Sequence, residues 1–192
     1  MLKKLILCCL LFSQSIIATN VIVIMGASCS GKSTTTRNFL ARANKSWKLF
    51  DLDRLLARRK MSSNRGVIDY DTEKEFDYML EGLERVLKEG EDFVIDTNIY
   101  QPKLREVLEK AGCKTLWVLI YAPLEALIKR DDERARVCKR SEKRKKIARN
   151  YVLSTHDHFY HDSLVPHDLC LDTSKTAILD CVKMIQERLK EM

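Results

Sequence analysis

The stretch "GASCSGKST", residues 26–34, decides how the rest of the sequence is interpreted. Gly26 and Gly31 bracket four residues, and a lysine and a serine follow the second glycine. A short β-branched apolar run, "NVIVIM", precedes the stretch and predicts a buried strand. The residues that follow have helical spacing. The stretch is therefore predicted to be a tight loop leading from a buried strand into a helix.

The spacing G-x-x-x-x-G-K-[ST] is that of a loop that holds nucleotide phosphates. Its glycines let successive N–H groups point inward, and the start of the helix adds a positive end. The Lys32 ammonium can reach the β- and γ-phosphates, and the Ser33 hydroxyl can bind the Mg²⁺ that bridges them. We interpret Cys29 as a tolerated small residue rather than a redox-sensitive thiol. The predicted ATP site comprises Gly26, Ala27, Ser28, Cys29, Ser30, Gly31, Lys32, Ser33 and Thr34.

Strand and helix patterns alternate from residue 20 to the end of the chain. This alternation predicts an α/β fold with a mostly parallel sheet covered by helices on both faces. Ligands of such sheets bind beyond the carboxyl ends of the strands. Gly26, Asp53 and Asp96 all fall at such ends, so the sequence predicts that they line one crevice.

Two acids close the second predicted strand, in the segment "DLDR". A hydroxyl that accepts a phosphoryl group needs a carboxylate to take its proton. Asp53 is the preferred candidate for that base, Asp51 is the alternative, and Arg54 is suited to hold an anionic part of the acceptor. An aspartate at this junction can also be a simple helix cap.

A third acid, Asp96, ends the predicted strand "FVIDTN". That position places a carboxylate beside the phosphate loop, so Asp96 and Ser33 are predicted as the Mg²⁺ ligands. Thr97 and Asn98 are placed to contact the acceptor or the metal's water. The alternative is that Asp, Thr and Asn only build a turn here.

A basic run occupies residues 129–146 within a segment of helical spacing, residues 123–153. Arginines stabilise the charge of a phosphoryl-transfer transition state, and a mobile lid can deliver them. Arg130 and Arg134 are one helical turn apart and are predicted to act this way, in a lid of about residues 131–150. The distal lysines are interpreted as a solvated helix face.

The remaining chain favours a kinase over other nucleotide-binding proteins. No N-K-x-D guanine-reading motif occurs, and residues 20–192 suffice for one domain. The segment "HDHFYHD" lacks a standard zinc spacing, so metal binding there is not favoured, although His156 or His158 can lie near the acceptor. The net charge of +7 suits ATP as well as nucleic acid, while the 7 % aromatic content offers no base-stacking platform.

Residues 1–19 have the layout of a signal peptide or hydrophobic leader, with two lysines, an apolar stretch and a polar break. A leader predicts export, or tethering to a membrane through these residues alone. The seven cysteines include no CxxC pair, which is typical of a reducing compartment. Together with the need for ATP, this favours the cytosol of the producing cell or of a host cell as the site of action.

The sequence resembles two related groups of P-loop kinases. "VIVIMGASCSGKST", the acid after the second strand, the basic lid and the closing "LDTS" strand with its helix resemble the chloramphenicol phosphotransferase-like group. The segments "FVIDTNIYQPKLREVLEKAG" and "LWVLIYAPLEALIKRDDERA" are more similar to the 5′-hydroxyl polynucleotide kinases, which are related to zeta toxins. The resemblance covers nearly all of residues 20–190, and only the phosphate loop is specific for a nucleotide.

The resemblance implies a five-stranded parallel sheet in the order 2-3-1-4-5. It implies an ATP- and Mg²⁺-dependent kinase that phosphorylates a hydroxyl of a small molecule, with Asp53 or Asp51 as the base and Arg130 or Arg134 in the lid. The alternatives are a polynucleotide or nucleotide 5′-hydroxyl kinase, and a nucleotide-binding toxin or effector with little turnover. The acceptor is not identified, because residues 54–80 and 97–105 contain no diagnostic constellation.

Overall fold

A computed structural model of the chain describes residues 19–51, 73–160 and 165–192. Strands and helices alternate along these residues. The strands are β1 (Asn20–Met25), β2 (Lys48–Asp51), β3 (Phe93–Thr97), β4 (Lys114–Tyr121) and β5 (Leu169–Asp172). The helices are α1 (Lys32–Arg42), α2 (Glu73–Lys88), α3 (Pro102–Lys110), α4 (Leu124–Val137), α5 (Glu142–Tyr160) and α6 (Ile178–Lys190).

The five strands form one parallel sheet in the order β2-β3-β1-β4-β5. The predicted α/β fold and strand order are therefore confirmed. The order in which strands are added changes side at β1. Strands β2 and β3 lie on one side of β1, and β4 and β5 lie on the other. Such a change of side opens a crevice at the carboxyl ends of the strands.

Strand β1 lies at the centre because its side chains serve both faces of the sheet. Val21, Val23 and Met25 pack towards one layer, and Ile22 and Ile24 pack towards the other, as the two-residue period of a strand requires. The first layer includes residues of α2, α3 and α5, and the second includes residues of α1 and α6. From Val21 to Met25 every residue is 0 % exposed, so the strand that leads into the phosphate loop is fixed by burial on both sides.

The segment predicted as one helical stretch, residues 123–153, forms two helices instead. Helix α4 ends at Val137, and Lys139 takes a left-handed backbone conformation with φ of 49° before α5 begins at Glu142. Left-handed backbone cannot continue an α-helix, so the chain turns back there. The basic run thus forms a helical hairpin of α4 and α5 rather than a single rod.

Asp131 in α4 holds this hairpin together. Its side chain is 4 % exposed, and its carboxylate accepts a hydrogen bond of 2.8 Å from Arg140 and lies 3.5 Å from Arg149 Nε. Arg149 also pairs with the exposed Asp132. Two of the basic residues are therefore bound to the hairpin's own acids.

Replacing Asp131 with alanine is expected to destabilise the protein by about 1–3 kcal/mol, because both arginines lose a buried partner but keep some access to water. Urea unfolding measures the change. Glu133→Ala is the matched control on the same helix, since Glu133 makes an exposed ion pair of 3.8 Å with Arg136, and a shift below about 0.5 kcal/mol is expected. Equal losses for the two variants would contradict this role of Asp131.

None of the helices in the described ranges is long and apolar enough to cross a membrane. Residues 1–18, which include nearly all of the predicted leader, lie outside those ranges. Export or tethering therefore stays a prediction.

Candidate active site

The phosphate loop joins β1 to α1, and its shape depends on close approach of backbone to backbone. A Cβ atom on Gly26 would lie 2.2 Å from the carbonyl oxygen of Ile120 in β4, a distance that no side chain tolerates. Gly26 and Gly31 have φ angles of 147° and 105°, and Cys29 between them has φ of 66°. Such a run of positive φ angles makes a concave nest of N–H groups that suits an anion. Helix α1 begins directly after it, at Lys32.

Lys32 is held inside the site although it carries a charge. It is 5 % exposed, and its ammonium donates hydrogen bonds to the carbonyl of Ala27, at 3.0 Å, and to the side-chain oxygen of Asn98. The predicted loop lysine and the predicted residue after β3 are therefore brought together. Asn98 orients the lysine from the neighbouring strand end.

Asp96 lies beside this lysine at the end of β3. The strand register pairs it with Ile24 of β1 on one side and with Asp51 of β2 on the other. Asp96 is 5 % exposed, and burial raises the pKa of its carboxyl against the opposing effect of the Lys32 charge. Its Oδ1 atom has no hydrogen-bond partner among the residues that the structure describes. An unpartnered buried carboxylate oxygen is suited to receive a cation.

The two acids predicted as alternatives for the base have different positions in the structure. Asp51 is the last residue of β2, is half-buried, and is close enough for its charge to raise the pKa of Asp96 further. Asp53 and Arg54 lie outside the described residues. Asp51 and Asp96 thus place two carboxylates side by side at the sheet edge that carries the loop.

Ser33 and Thr34 occupy the first turn of α1, and both are exposed. The Ser33 hydroxyl also acts to lower the pKa of Asp96, which places the two predicted Mg²⁺ ligands next to each other. A hydroxyl and a carboxylate oxygen fit the preference of Mg²⁺ for few protein ligands, with waters and phosphates completing its shell. The residues present therefore fit this ion.

Helix α5 fixes the first half of the loop, which the sequence did not predict. Thr155 Oγ1 accepts a hydrogen bond of 2.9 Å from the Ser28 amide. The Tyr160 hydroxyl accepts one of 3.4 Å from the Ala27 amide and donates one of 2.9 Å to the Ile120 carbonyl. Burial raises the pKa of Tyr160 far above its usual value, so the phenol keeps its proton. The contacts of Thr155 with Ser28 and of Tyr160 with Ala27 join residues more than 100 positions apart in the chain. No local sequence pattern indicates them.

The predicted lid arginines also differ in position. Arg130 is half-buried, and its guanidinium donates to the carbonyls of Cys29 and Ser30 and to both oxygens of Thr173, at 2.9–3.2 Å. Arg134, one turn later, is exposed in the last turn of α4. Arg130 therefore lies against the phosphate loop, and its predicted contact with the transferred phosphoryl group stays a prediction.

His156 and His158 both lie in α5, and His158 connects it to the chain after β3. His158 Nε2 accepts a hydrogen bond of 3.0 Å from the amide of Tyr100, two residues after Asn98. The His156 ring packs edge-on against Tyr160, with 5.0 Å between ring centroids. In the ranges that the structure covers, no cluster of three or more His, Cys, Asp or Glu side chains could hold a metal.

A cavity of about 390 Å³ opens at the amino edge of the sheet, away from the phosphate loop. Phe39, Trp47 and Leu189 provide its apolar walls. It contains none of the predicted site residues.

Many solved structures share the fold of this chain, and three kinases are among them. The APS kinase of Mycobacterium tuberculosis in complex with AMPPNP and APS has a TM-score of 0.59 and 18 % identity, and the match covers 90 % of this chain and 98 % of that one. The shikimate kinase of Bacteroides thetaiotaomicron has a TM-score of 0.55 and 17 % identity, with 90 % of this chain and 99 % of that one covered. A gluconokinase of Sinorhizobium meliloti has a TM-score of 0.53 and 17 % identity, with 89 % of this chain and 95 % of that one covered. At these identities the likeness concerns the fold alone.

No curated protein matches the chain closely enough to count as a relative. The sequence model of the chloramphenicol phosphotransferase-like proteins, in contrast, matches residues 19–190, which is nearly the whole chain and includes the phosphate loop, the hairpin and the closing strand and helix. With Lys32 and Asp96 placed at the loop as described, this match agrees with the resemblance stated above: the chain belongs to the chloramphenicol phosphotransferase-like family and has the fold of a P-loop kinase.

Proposed function

We propose that this protein is an ATP- and Mg²⁺-dependent kinase that transfers the γ-phosphate of ATP to a hydroxyl group of a small molecule. The observation that carries the proposal is the position of Lys32, whose buried ammonium lies between the loop carbonyl of Ala27 and the side chain of Asn98. There its charge acts on the carboxylate of Asp96. A cation held in this way stabilises negative charge that develops on a transferred phosphoryl group.

The chain's own residues divide the remaining tasks. The loop N–H groups other than those of Ala27 and Ser28, which donate to α5, would bind and orient the phosphates. Ser33 and Asp96 would hold Mg²⁺, which neutralises charge on the phosphate oxygens when bound. Asp51 or Asp53 would accept the proton of the attacking hydroxyl. The place of Asp51 beside Asp96 supports Asp51 in this role. Asp53, which the sequence favours, lies outside the described residues.

The test is acceptor-stimulated ATP consumption by the purified full chain with Mg²⁺. The acceptor panel contains nucleosides, 5′-hydroxyl oligonucleotides, aminoglycosides, chloramphenicol-like alcohols and sugars. Turnover on a small alcohol supports the proposal, and turnover on oligonucleotides that weakens steeply with salt supports a polynucleotide kinase instead. ATP binding without turnover on any acceptor contradicts both and favours a nucleotide-binding effector.

Lys32→Ala is the catalytic blank for this assay. Removing the ammonium is expected to lower turnover by about 100- to 1000-fold, as loss of one preorganised charge donor does in other enzymes. Lys129→Ala is the matched control, since Lys129 is an exposed lysine of α4, and its turnover should equal that of the wild type. Stimulated turnover that survives in Lys32→Ala would show that another protein supplies the activity.

For the place of action we propose a cytosol, either that of the producing cell or that of a host cell. The requirement for ATP supports this proposal. So do the free cysteines of the described residues, of which Cys29, Cys113, Cys138, Cys170 and Cys181 form no disulfide. Fractionation of cells that express the full chain with a C-terminal tag tests it and also shows whether residues 1–19 are removed.

A further inference from the structure

Arg130 is bonded to the outer side of the phosphate loop rather than to the side that faces a nucleotide. One of its nitrogens, Nη1, donates to the carbonyl of Cys29 at 3.2 Å and to that of Ser30 at 3.1 Å. The same nitrogen lies 3.0 Å from Thr173 Oγ1, and Nη2 donates to the Thr173 carbonyl at 2.9 Å. The guanidinium therefore bridges the loop and the chain that follows β5.

Thr173 completes this arrangement. Its hydroxyl donates a hydrogen bond of 2.6 Å to the Ser30 carbonyl. This one oxygen therefore accepts hydrogen bonds from both the Thr173 hydroxyl and the Arg130 guanidinium. The Thr173 amide is anchored in turn on Tyr121 of β4, at 2.9 Å. We call Arg130 and Thr173 together the loop brace. The brace connects α4 and the end of β5 to one peptide of the loop.

The peptide that the brace holds is the one between Ser30 and Gly31. A trans peptide is planar, and its carbonyl and N–H point in opposite directions. Because the Ser30 carbonyl is fixed outward, the Gly31 N–H is directed inward, where the loop is concave. No hydrogen bond from this N–H is found within the described residues. A carbonyl bonded to a cation also makes the N–H of its peptide a stronger donor.

We propose that Arg130 is a positioning residue that acts on a bound phosphate through the Ser30–Gly31 peptide. This inference rests on the proposed function, because it assumes that the loop binds phosphate. It differs from the expectation that Arg130 touches the transferred phosphoryl group. The guanidinium presents several donors in one rigid plane, which the bridge needs and which a lysine ammonium does not provide.

The first experiment compares Arg130→Ala with wild type, using inorganic tripolyphosphate as the ligand of the full chain. Tripolyphosphate has no base or ribose, so its affinity contains no contribution from contacts to those groups. We expect binding to weaken by about 10- to 100-fold, which corresponds to losing one or two hydrogen bonds of a charged donor. Arg130→Lys should recover only part of the affinity, and Lys129→Ala should bind as the wild type does.

The second experiment records the amide resonance of Gly31 in ligand-free protein by NMR. A role that is only structural would leave this resonance in place in a variant that stays folded. We expect Arg130→Ala and Thr173→Val each to shift the Gly31 amide proton upfield, and the shift of the double variant to be smaller than their sum because both act on the same carbonyl. Thr173→Val keeps the side-chain shape and provides a second variant if Arg130→Ala unfolds.

The outcomes separate this inference from the proposed function. An unchanged Gly31 resonance with unchanged tripolyphosphate affinity and lost turnover would overturn the inference and assign Arg130 to the reacting phosphoryl group. Normal tripolyphosphate binding by the wild type without phosphorylation of any acceptor would overturn the proposed kinase. In that case a shifted Gly31 resonance and weakened tripolyphosphate binding in Arg130→Ala would still support the loop brace.

Discussion

Asp96→Asn is expected to stabilise the ligand-free protein while it abolishes Mg²⁺-dependent turnover. Asparagine has nearly the same shape but no charge, and burial is the main reason why the Asp96 carboxyl has a raised pKa. Keeping this carboxylate ionised therefore costs folding free energy, which the variant avoids. We expect a gain of about 0.5–2 kcal/mol, typical of stabilising substitutions, and a loss of about 100-fold or more in turnover, since a neutral amide is a poor metal ligand.

The pH dependence of unfolding provides the sharpest measurement. An unfolded aspartate has a pKa near 3.8, and that of Asp96 in the folded protein is higher. The folded state then binds the proton more tightly, so this group's contribution to stability falls as pH rises from the unfolded pKa through the folded pKa. The difference between Asp96→Asn and wild type should be small below the unfolded pKa and largest above the folded one.

Asp92 provides a matched control just before the start of the same strand. Burial alone would raise its pKa, but hydrogen bonds from Lys45 and from the amide and side chain of Asn20 lower it overall. Its ionised form therefore contributes stability that is present above the unfolded pKa and lost as pH falls through the folded pKa. Asp92→Asn should destabilise at neutral pH. If both asparagine variants shift stability in the same direction, the ionised carboxylate of Asp96 does not cost folding free energy in the expected way.

Gly26→Ala is expected to have the largest effect on the fold and to remove nucleotide binding. The new Cβ would lie 2.2 Å from the Ile120 carbonyl oxygen and 3.2 Å from its carbon, both of them backbone atoms of the buried strand β4. The φ angle of 147° adds strain for any residue with a side chain. Either the loop or the strand must move, and we expect a loss of about 3 kcal/mol or more in stability.

Thermal unfolding and ATP binding measure the effect of Gly26→Ala. Gly112→Ala isolates the backbone contribution, because Gly112 also has a positive φ, of 69°, but no atom of the described parts of the chain lies within 4 Å of its Cβ position. That control should lose about 1–2 kcal/mol and keep ATP binding. If the two alanine variants lost the same amount, crowding by Ile120 would not be the reason for a glycine at this position.

The order of the elements was predictable because it depends on local patterns. The apolar run of β1, the spacing of the phosphate loop and the alternation of strands and helices each need only neighbouring residues. The same is true of Asp96, whose position at a strand end follows from the sequence. The resemblance to a known family supplied the strand order, which the structure confirms.

The surroundings of the loop were not predictable in the same way. Thr155, Tyr160 and Thr173 contact loop residues from more than 100 positions away, and their residue types are common. Thr173 lies in the "LDTS" segment, which in the sequence indicates only the family resemblance. The end of α4 at Val137 was not predictable, because helical spacing of the side chains continues beyond it. The helix ends because a single residue, Lys139, takes a left-handed backbone conformation.

Helix α5 has a mechanical consequence for any closing movement of the hairpin. Its 19 residues make a rod about 28 Å long, with basic residues at its start and Thr155 and Tyr160, which bind the loop, near its end. A stiff rod tilts as a unit, so displacing its first turn also displaces the hydroxyls that hold Ser28 and Ala27. The turn at Lys139 does not release the loop from such a movement, because α4 also holds it through Arg130, which bonds the Cys29 and Ser30 carbonyls. Movement of either helix would therefore reshape the nest.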